Sequence, residues 1–255
     1  DDCLRHSMTK LSHLHFVAAE EYARRVIQLG EELWRVTVSG SPGLDNLADW
    51  EPTPVTELEG QVGMPLPCHG FLLAAFHPVT LEQGRSGAYA EELVAALART
   101  SMPVLVSLPN ADPSGREVRV RLLAAVALRP GWCAVENLGT RSFFSVMARA
   151  AAMVGNSSSG LIEAPSFGLP VVNIGRRQEG RVRGANVIDT APEEGAIRAA
   201  LERALEPSFR AAIQGQPNPY GDGHASERIA QRLASEELGD RLVKKRFHEV
   251  RQGGA

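Results

Sequence analysis

The sequence predicts an α/β protein built on parallel sheet, and two observations carry that reading. Short apolar strands alternate with helices along most of its 255 residues, the pattern of a parallel sheet covered on both faces. Polar and basic groups also recur directly after the strands, where ligands bind in such sheets. With 44% hydrophobic residues, the chain can bury one large core or two unequal ones.

The elements run as follows. An opening helix from about Asp2 to His13 carries Leu4, Met8 and Leu11 on one face. A short strand, Leu14–Ala19, precedes a helix from Glu20 that stops at Gly30, since glycine readily takes the left-handed cap conformation. Arg35–Ser39 alternates as a strand. Periodicity then disappears through a Gly-, Pro- and acid-rich stretch, Gly40 to Pro67, which marks a domain boundary. A second α/β series begins with the apolar strand Phe71–Phe76. It continues through helix Tyr89–Arg99, strand Val104–Leu108, strand Cys133–Val135 and helix Ser142–Ala151. Strand Ala152–Val154 then leads through a Gly/Ser turn into a helix reaching Phe167. Strands Val171–Ile174 and Val187–Asp189 and helices near Glu193–Leu205 and Ala225–Glu237 complete the pattern. No element is evident between Asp112 and Cys133.

Bulk properties exclude some function classes. A net charge of −3 and a pI near 6.2 give no global attraction to nucleic acid or to acidic lipid. No apolar run is long enough to cross a membrane. Cys3, Cys68 and Cys133 are an odd, scattered set, as expected of a reduced cytoplasmic protein. His6, His13 and His15 lack the carboxylate that would complete a zinc pattern, so no metal is expected.

Chemistry gathers at the predicted strand ends: His77, Asn110 and Asp112, Glu136 and Asn137, the turn Asn156–Gly160, and the basic loop Arg176–Arg183. The sequence Gly155-Asn-Ser-Ser-Ser-Gly160 offers close backbone approach, hydroxyls and amides at a helix start, which suit an anion. It has no P-loop lysine, so compensating charge falls to Arg177, Arg181 and Arg183. The ordinary alternative is a serine-capped helix. Glu163, one turn on, is placed to accept paired hydroxyls such as those of a ribose; complementing the helix dipole would also account for it.

The run Val154–Pro170 (VGNSSSGLIEAPSFGLP), followed by Val171-Val-Asn-Ile-Gly175 and Arg177-Gln178, is similar to the signature of UDP-N-acetylglucosamine 2-epimerases. It is closest to the hydrolysing, N-acetylmannosamine-forming branch used in sialic acid biosynthesis. Five other segments agree in order: Arg5–His13, Phe76–Thr80, Pro109–Asp112, Glu136–Gly139 and Asn218–Gly223. The resemblance implies two Rossmann-like domains of the GT-B type, the N-terminal one incomplete. Residues 1–45 would be its remnant, 46–67 a linker and 68–222 the UDP-binding domain. Residues 223–255 would be a helical segment returning to the first domain. It further implies that Ser157, Ser158, Ser159 and His77 contact the diphosphate, Glu163 the ribose, Phe143 the uracil and Arg177 the nucleotide. Asp1 and Asp2 would supply an acid at the sugar end, so Asp1, Asp2 and His77 are the candidate catalytic groups. No cofactor is needed.

The implied partner is a UDP-sugar, in a homo-oligomer without nucleic acid or membrane. Two features depart from the pattern: Arg176 stands before Arg177, and Glu179 occupies a position where lysine is common. Non-hydrolysing epimerisation, sugar transfer to an acceptor, and UDP binding without turnover are the competing readings. The sugar itself, N-acetylglucosamine or a diacetamido relative, is left open. The chain starts inside helix-like sequence. Lacking the family's first strands, it is expected to expose apolar surface on its opening helix, to bind UDP weakly and to turn over little.

Overall fold

A computed structural model describes residues 2–79, 84–109 and 113–249. They form two compact units, one of 1–49 with 218–255 and one of 50–217.

In the first unit, helix α1 (Asp2–Leu11) precedes strand β1 (His15–Val17), helix α2 (Glu20–Gln28) and strand β2 (Val36–Val38). The strands pair in parallel, His15 opposite Val36 and Val17 opposite Val38. Gly30 stands two residues beyond α2 with φ 89°, the left-handed position that glycine tolerates without strain. Leu4, Met8 and Leu11 are 69%, 66% and 79% exposed, so the apolar face of α1 is bare within its own unit.

The second unit holds helix α3 (Val55–Val62), strand β3 (Leu72–Ala75), helix α4 (Ser86–Leu97) and strand β4 (Val104–Ser107). Helix α5 (Pro113–Ala127), strand β5 (Trp132–Val135), helix α6 (Gly139–Arg149) and strand β6 (Ala152–Gly155) follow. Then come helix α7 (Ser159–Ile162), strands β7 (Val171–Ile174) and β8 (Val187–Thr190), and helices α8 (Glu194–Leu205) and α9 (Pro207–Ile213). Helices α10 (Ala225–Ala234) and α11 (Asp240–Val243) belong to the first unit.

The six strands of the second unit are all parallel, in the order β5-β4-β3-β6-β7-β8. β3 is buried at every position, which is why it reads as an unbroken apolar run rather than an alternation. Leu72, Ala74, Val104 and Val106 meet Leu93, Leu97, Val118, Leu122, Ile197 and Leu201 in the largest core cluster. That core places α4, α5 and α8 on one face of the sheet.

Several sequence expectations are corrected. A helix, α3, lies inside the stretch where periodicity seems lost, because Pro54 starts it and Gly63 (φ 74°) ends it within eight residues. α5 fills the interval where no element is evident. Its Val-Arg-Val-Arg run mimics a strand, yet Val118, Leu122 and Ala125 fall at helical spacing and are buried while Val120 is 58% exposed. The helix expected to reach Phe167 breaks at Glu163 and continues as a 3-10 turn, Ala164–Phe167. Pro165 has no N–H for the α-helical bond, and the tighter turn results. The short helices α9 and α11 are also additions.

Candidate functional site

From β3 the chain steps outward through β4 to β5, then returns to place β6 against β3 and proceeds to β8. The crevice at that reversal, past the carboxyl ends of β3 and β6, is where open parallel sheets bind ligands. His77 follows β3 and the Asn156–Gly160 turn follows β6, so this topology brings the two together.

Asn156 braces them. Its Oδ1 accepts from the His77 amide at 2.7 Å, and its Nδ2 donates to the His77 carbonyl at 2.8 Å. Its own amide donates to the Ala75 carbonyl at 3.0 Å. The brace needs β6 to lie hard against β3. Gly155 has φ 143°, and a Cβ there would stand 2.0 Å from the Ala75 carbonyl oxygen. Gly160 is similarly confined: its Cβ would lie 2.8 Å from Val171.

Ser157, Ser158 and Ser159 are half-buried at the start of α7. The Ser159 amide donates to Ser157 Oγ at 3.4 Å, and the Gly160 and Leu161 amides turn back onto the carbonyls of Ser157 and Ser158. Those three amides are committed within the turn, so what it offers an anion is the row of serine hydroxyls at the start of α7.

The basic loop after β7 is held beneath the turn. Arg177 Nη1 donates to the Asn156 carbonyl at 2.9 Å, and buried Gln178 donates to the same oxygen at 2.7 Å. Burial and the neighbouring Arg181 push the Arg177 guanidinium below its usual value. Arg183 does not share that role. It donates to Asp189 at 3.1 and 3.3 Å and to the Gln178 carbonyl at 2.7 Å, so it fixes the loop instead. The two departures noted in the sequence, Arg176 and Glu179, pair with each other at 2.8 and 3.1 Å. They cancel in charge and leave Arg177 and Arg181 as the cations near the turn.

Glu163 sits at the join between α7 and the 3-10 turn, so its carboxylate comes from the residue where the helix changes pitch. Burial raises its pKa above the ordinary carboxyl range; a hydrogen bond with Ser159 and the charge of Arg181 offset this in part. Its Oε2 is buried without a hydrogen-bond partner. Phe143 is half-buried on α6, which starts at the carboxyl end of β5.

Glu136 and Asn137 serve the fold. Glu136 pairs with Arg119 of α5, and Asn137 Oδ1 accepts from the Gly139 amide at 2.8 Å at the start of α6. Asp2 opens α1; Asp1, Thr80, Asn110 and Asp112 lie outside the described residues. Of the three histidines, His6 and His13 are exposed while His15 is buried against Glu31 at 2.9 Å. Among the described residues no group of three or more His, Cys, Asp or Glu is placed to hold a metal, and no helix is long and apolar enough to cross a membrane. The sequence reading misses Asn156 and Gln178 as braces. Their only signal is position, directly after a buried strand and inside a basic loop.

Residues 1–234 match the family described as UDP-N-acetylglucosamine 2-epimerase. The chain is 33% identical over 246 residues to a protein of Legionella pneumophila named UDP-N,N'-diacetylbacillosamine 2-epimerase (hydrolyzing), covering 96% of this chain and 63% of that one. It is 32% identical over 251 residues to UDP-N-acetylglucosamine 2-epimerase of Neisseria meningitidis, covering 98% and 65%. The chain therefore spans about two-thirds of the length of these relatives. Its fold is that of the Neisseria meningitidis UDP-GlcNAc 2-epimerase structure bound to UDP-GlcNAc, with a TM-score of 0.74 at 19% identity over 89% of this chain and 63% of that one. By its sequence match over residues 1–234, this chain belongs to the UDP-N-acetylglucosamine 2-epimerase family.

Proposed function

We propose that the chain carries the UDP-binding half of a hydrolysing UDP-N-acetylglucosamine 2-epimerase, which converts UDP-N-acetylglucosamine to UDP and N-acetylmannosamine. The observation that supports this best is the pairing of an anion cradle at Ser157–Ser159 with Glu163, one turn on, whose buried Oε2 lacks a partner. A nucleoside diphosphate offers both complements, phosphate oxygens for the cradle and ribose hydroxyls for the carboxylate. The hydrolysing branch is supported by the Asn156-Ser-Ser-Ser-Gly160 form of the turn and by the name of the Legionella pneumophila relative.

The reaction proceeds in two stages. A base takes the C2 proton while the C1–O bond breaks and UDP departs with the electron pair, giving a 2-acetamidoglucal. Water then adds its oxygen to C1, and C2 is reprotonated from the opposite face. In this chain His77, the serine hydroxyls of the turn and Arg177 would offset the charge growing on the departing diphosphate. The acid/base role falls to Asp1 or Asp2.

Alanine at both Ser157 and Ser158 should weaken UDP binding by about 1–3 kcal/mol, through hydrogen bonds lost to a charged group. Titration calorimetry on the folded double variant measures this, and unchanged affinity would remove the turn from the site. His77→Ala should weaken UDP but leave uridine nearly untouched. Product chromatography of the turnover mixture separates the branches: free N-acetylmannosamine marks hydrolysis, UDP-N-acetylmannosamine its absence.

Glu163 gives a pH signature. Only the ionised carboxylate offers both oxygens as acceptors to paired hydroxyls, and its folded pKa is raised. Uridine affinity should therefore fall as pH drops through that raised value, earlier than an exposed carboxylate would allow. Glu163→Gln should bind uridine more weakly and abolish the acid-side decline. A Gln variant that keeps the wild-type profile would exclude Glu163 as the titrating group.

A further inference from the structure

A short strap, Trp50–Thr53, is pinned along the first half of α6. Trp50 Nε1 donates to the Arg141 carbonyl at 3.2 Å, and Arg141 Nε donates back to the Glu51 carbonyl at 3.1 Å. The Thr53 amide donates to buried Ser145 Oγ at 2.9 Å, and the Thr53 and Ser142 hydroxyls stand 3.4 Å apart. The Trp50 ring meets Phe144 edge-on at 6.4 Å and Phe167 edge-on at 5.4 Å, while Phe144 and Phe167 are 5.7 Å apart. Phe144 is the neighbour of Phe143 on α6. Phe167 is the last residue of the 3-10 turn that follows Glu163. One indole therefore joins the helix carrying the candidate base-stacking ring to the turn carrying the candidate ribose acceptor.

We propose that Trp50 is a positioning residue for uridine recognition, setting the separation between Phe143 and Glu163. The inference rests on the reading of this region as a UDP site. Its physical basis is that edge-to-face aromatic contacts fix ring angles as well as burying area. A carboxylate and a ring displaced by a fraction of an ångström lose a bidentate ligand out of proportion to the shift. The strap touches neither the serine cradle nor Arg177 in any contact described above, so its influence should fall on the nucleoside and spare the diphosphate.

The test is calorimetric titration of wild type and Trp50→Ala with UDP, uridine and inorganic pyrophosphate, beside a thermal melt. UDP and uridine affinities should fall on the order of tenfold, as Phe143 and Glu163 lose the register that a bidentate ligand needs, with pyrophosphate affinity unchanged. Trp50→Phe keeps the ring contacts and removes the N–H; it should restore most of the uridine affinity. Equal weakening of all three ligands, or unchanged uridine affinity in a folded variant, would overturn the proposal. If Trp50→Ala does not fold, Trp50→Leu, which keeps apolar bulk but loses the edge-on ring contacts, decides it, a uridine-selective loss supporting the role and its absence rejecting it. A wild-type protein that binds pyrophosphate but neither UDP nor uridine would overturn the nucleotide reading itself, a result distinct from any behaviour of the variants.

Discussion

Gly155→Ala should cost the second unit a large share of its stability and its UDP binding. The new Cβ would stand 2.0 Å from the Ala75 carbonyl oxygen and 3.2 Å from the Ala75 amide nitrogen. Both are backbone atoms of a central strand with neighbours on each side, so no side chain can swing away. The φ of 143° adds strain of its own for a residue with a Cβ. Overpacking and backbone strain together should amount to roughly 4 kcal/mol, a large share of the ~5–15 kcal/mol that holds a typical domain folded. Relief would require β3 and β6 to separate, which breaks the Asn156 brace on His77. Gly60→Ala is the control, since nothing lies within 4 Å of a Cβ there and the position is mid-helix in α3, where alanine is favoured. Urea melts of both variants with UDP calorimetry measure the contrast. A Gly155→Ala protein as stable as the Gly60→Ala control would show that the strands do not meet as described.

Glu31→Ala should have a comparable effect on the first unit. Glu31 is fully buried and holds three partners: Lys10 at 2.6 Å, Lys245 at 2.7 Å and His15 at 2.9 Å. Lys245 also donates to the carbonyls of Lys10 and Ser12 at 3.0 and 2.6 Å, so the carboxylate anchors a residue that caps the end of α1. Removing it leaves half-exposed Lys10 and largely covered Lys245 facing one another and His15 without its partner, at a cost of about 3 kcal/mol. Burial alone would raise the Glu31 carboxyl, but hydrogen bonds from Lys10, Lys245 and His15 outweigh it and hold the pKa at about 2. A depressed carboxyl stabilises the fold at pH above its unfolded value, near 4.5, and that contribution is lost as pH falls toward about 2. His15 acts in the same sense: burial lowers its pKa, favouring the neutral ring and penalising acid. Thermal melts from pH 7 down to about 3 should therefore show an acid limb in the wild type that Glu31→Gln flattens. A parallel pair of curves would mean that Glu31 carries no net charge-linked stability.

By itself the sequence determined the alternation of strand and helix, the ends of β7, the stop at Gly30 and the run that identifies the family. These are local properties. An all-apolar strand is buried on both faces wherever it lies, and a glycine past a helix takes the left-handed cap without regard to distant neighbours. The sequence also marked Ser157–Ser159, Glu163 and Arg177 as a group, because they crowd two successive strand ends.

Tertiary structure decided the rest, and the reason is that pairing partners lie far apart in the chain. The strand order, with β6 beside β3, turns two separate motifs into one crevice; periodicity carries no information about which strands adjoin. Asn156 is a brace only because His77, 79 residues away, stands beside it. Arg183 read as a phosphate donor until Asp189 and the loop carbonyls claimed it. α5 was hidden because Arg119 and Arg121 interrupt its apolar face in a strand-like rhythm. Its helical face became visible only when α4 supplied a surface for Val118 and Leu122. Trp50, in a stretch without periodicity, acquired a role only when Phe144 and Phe167 were folded onto it, because an aromatic cluster drawn from three separate segments leaves no pattern in any one of them.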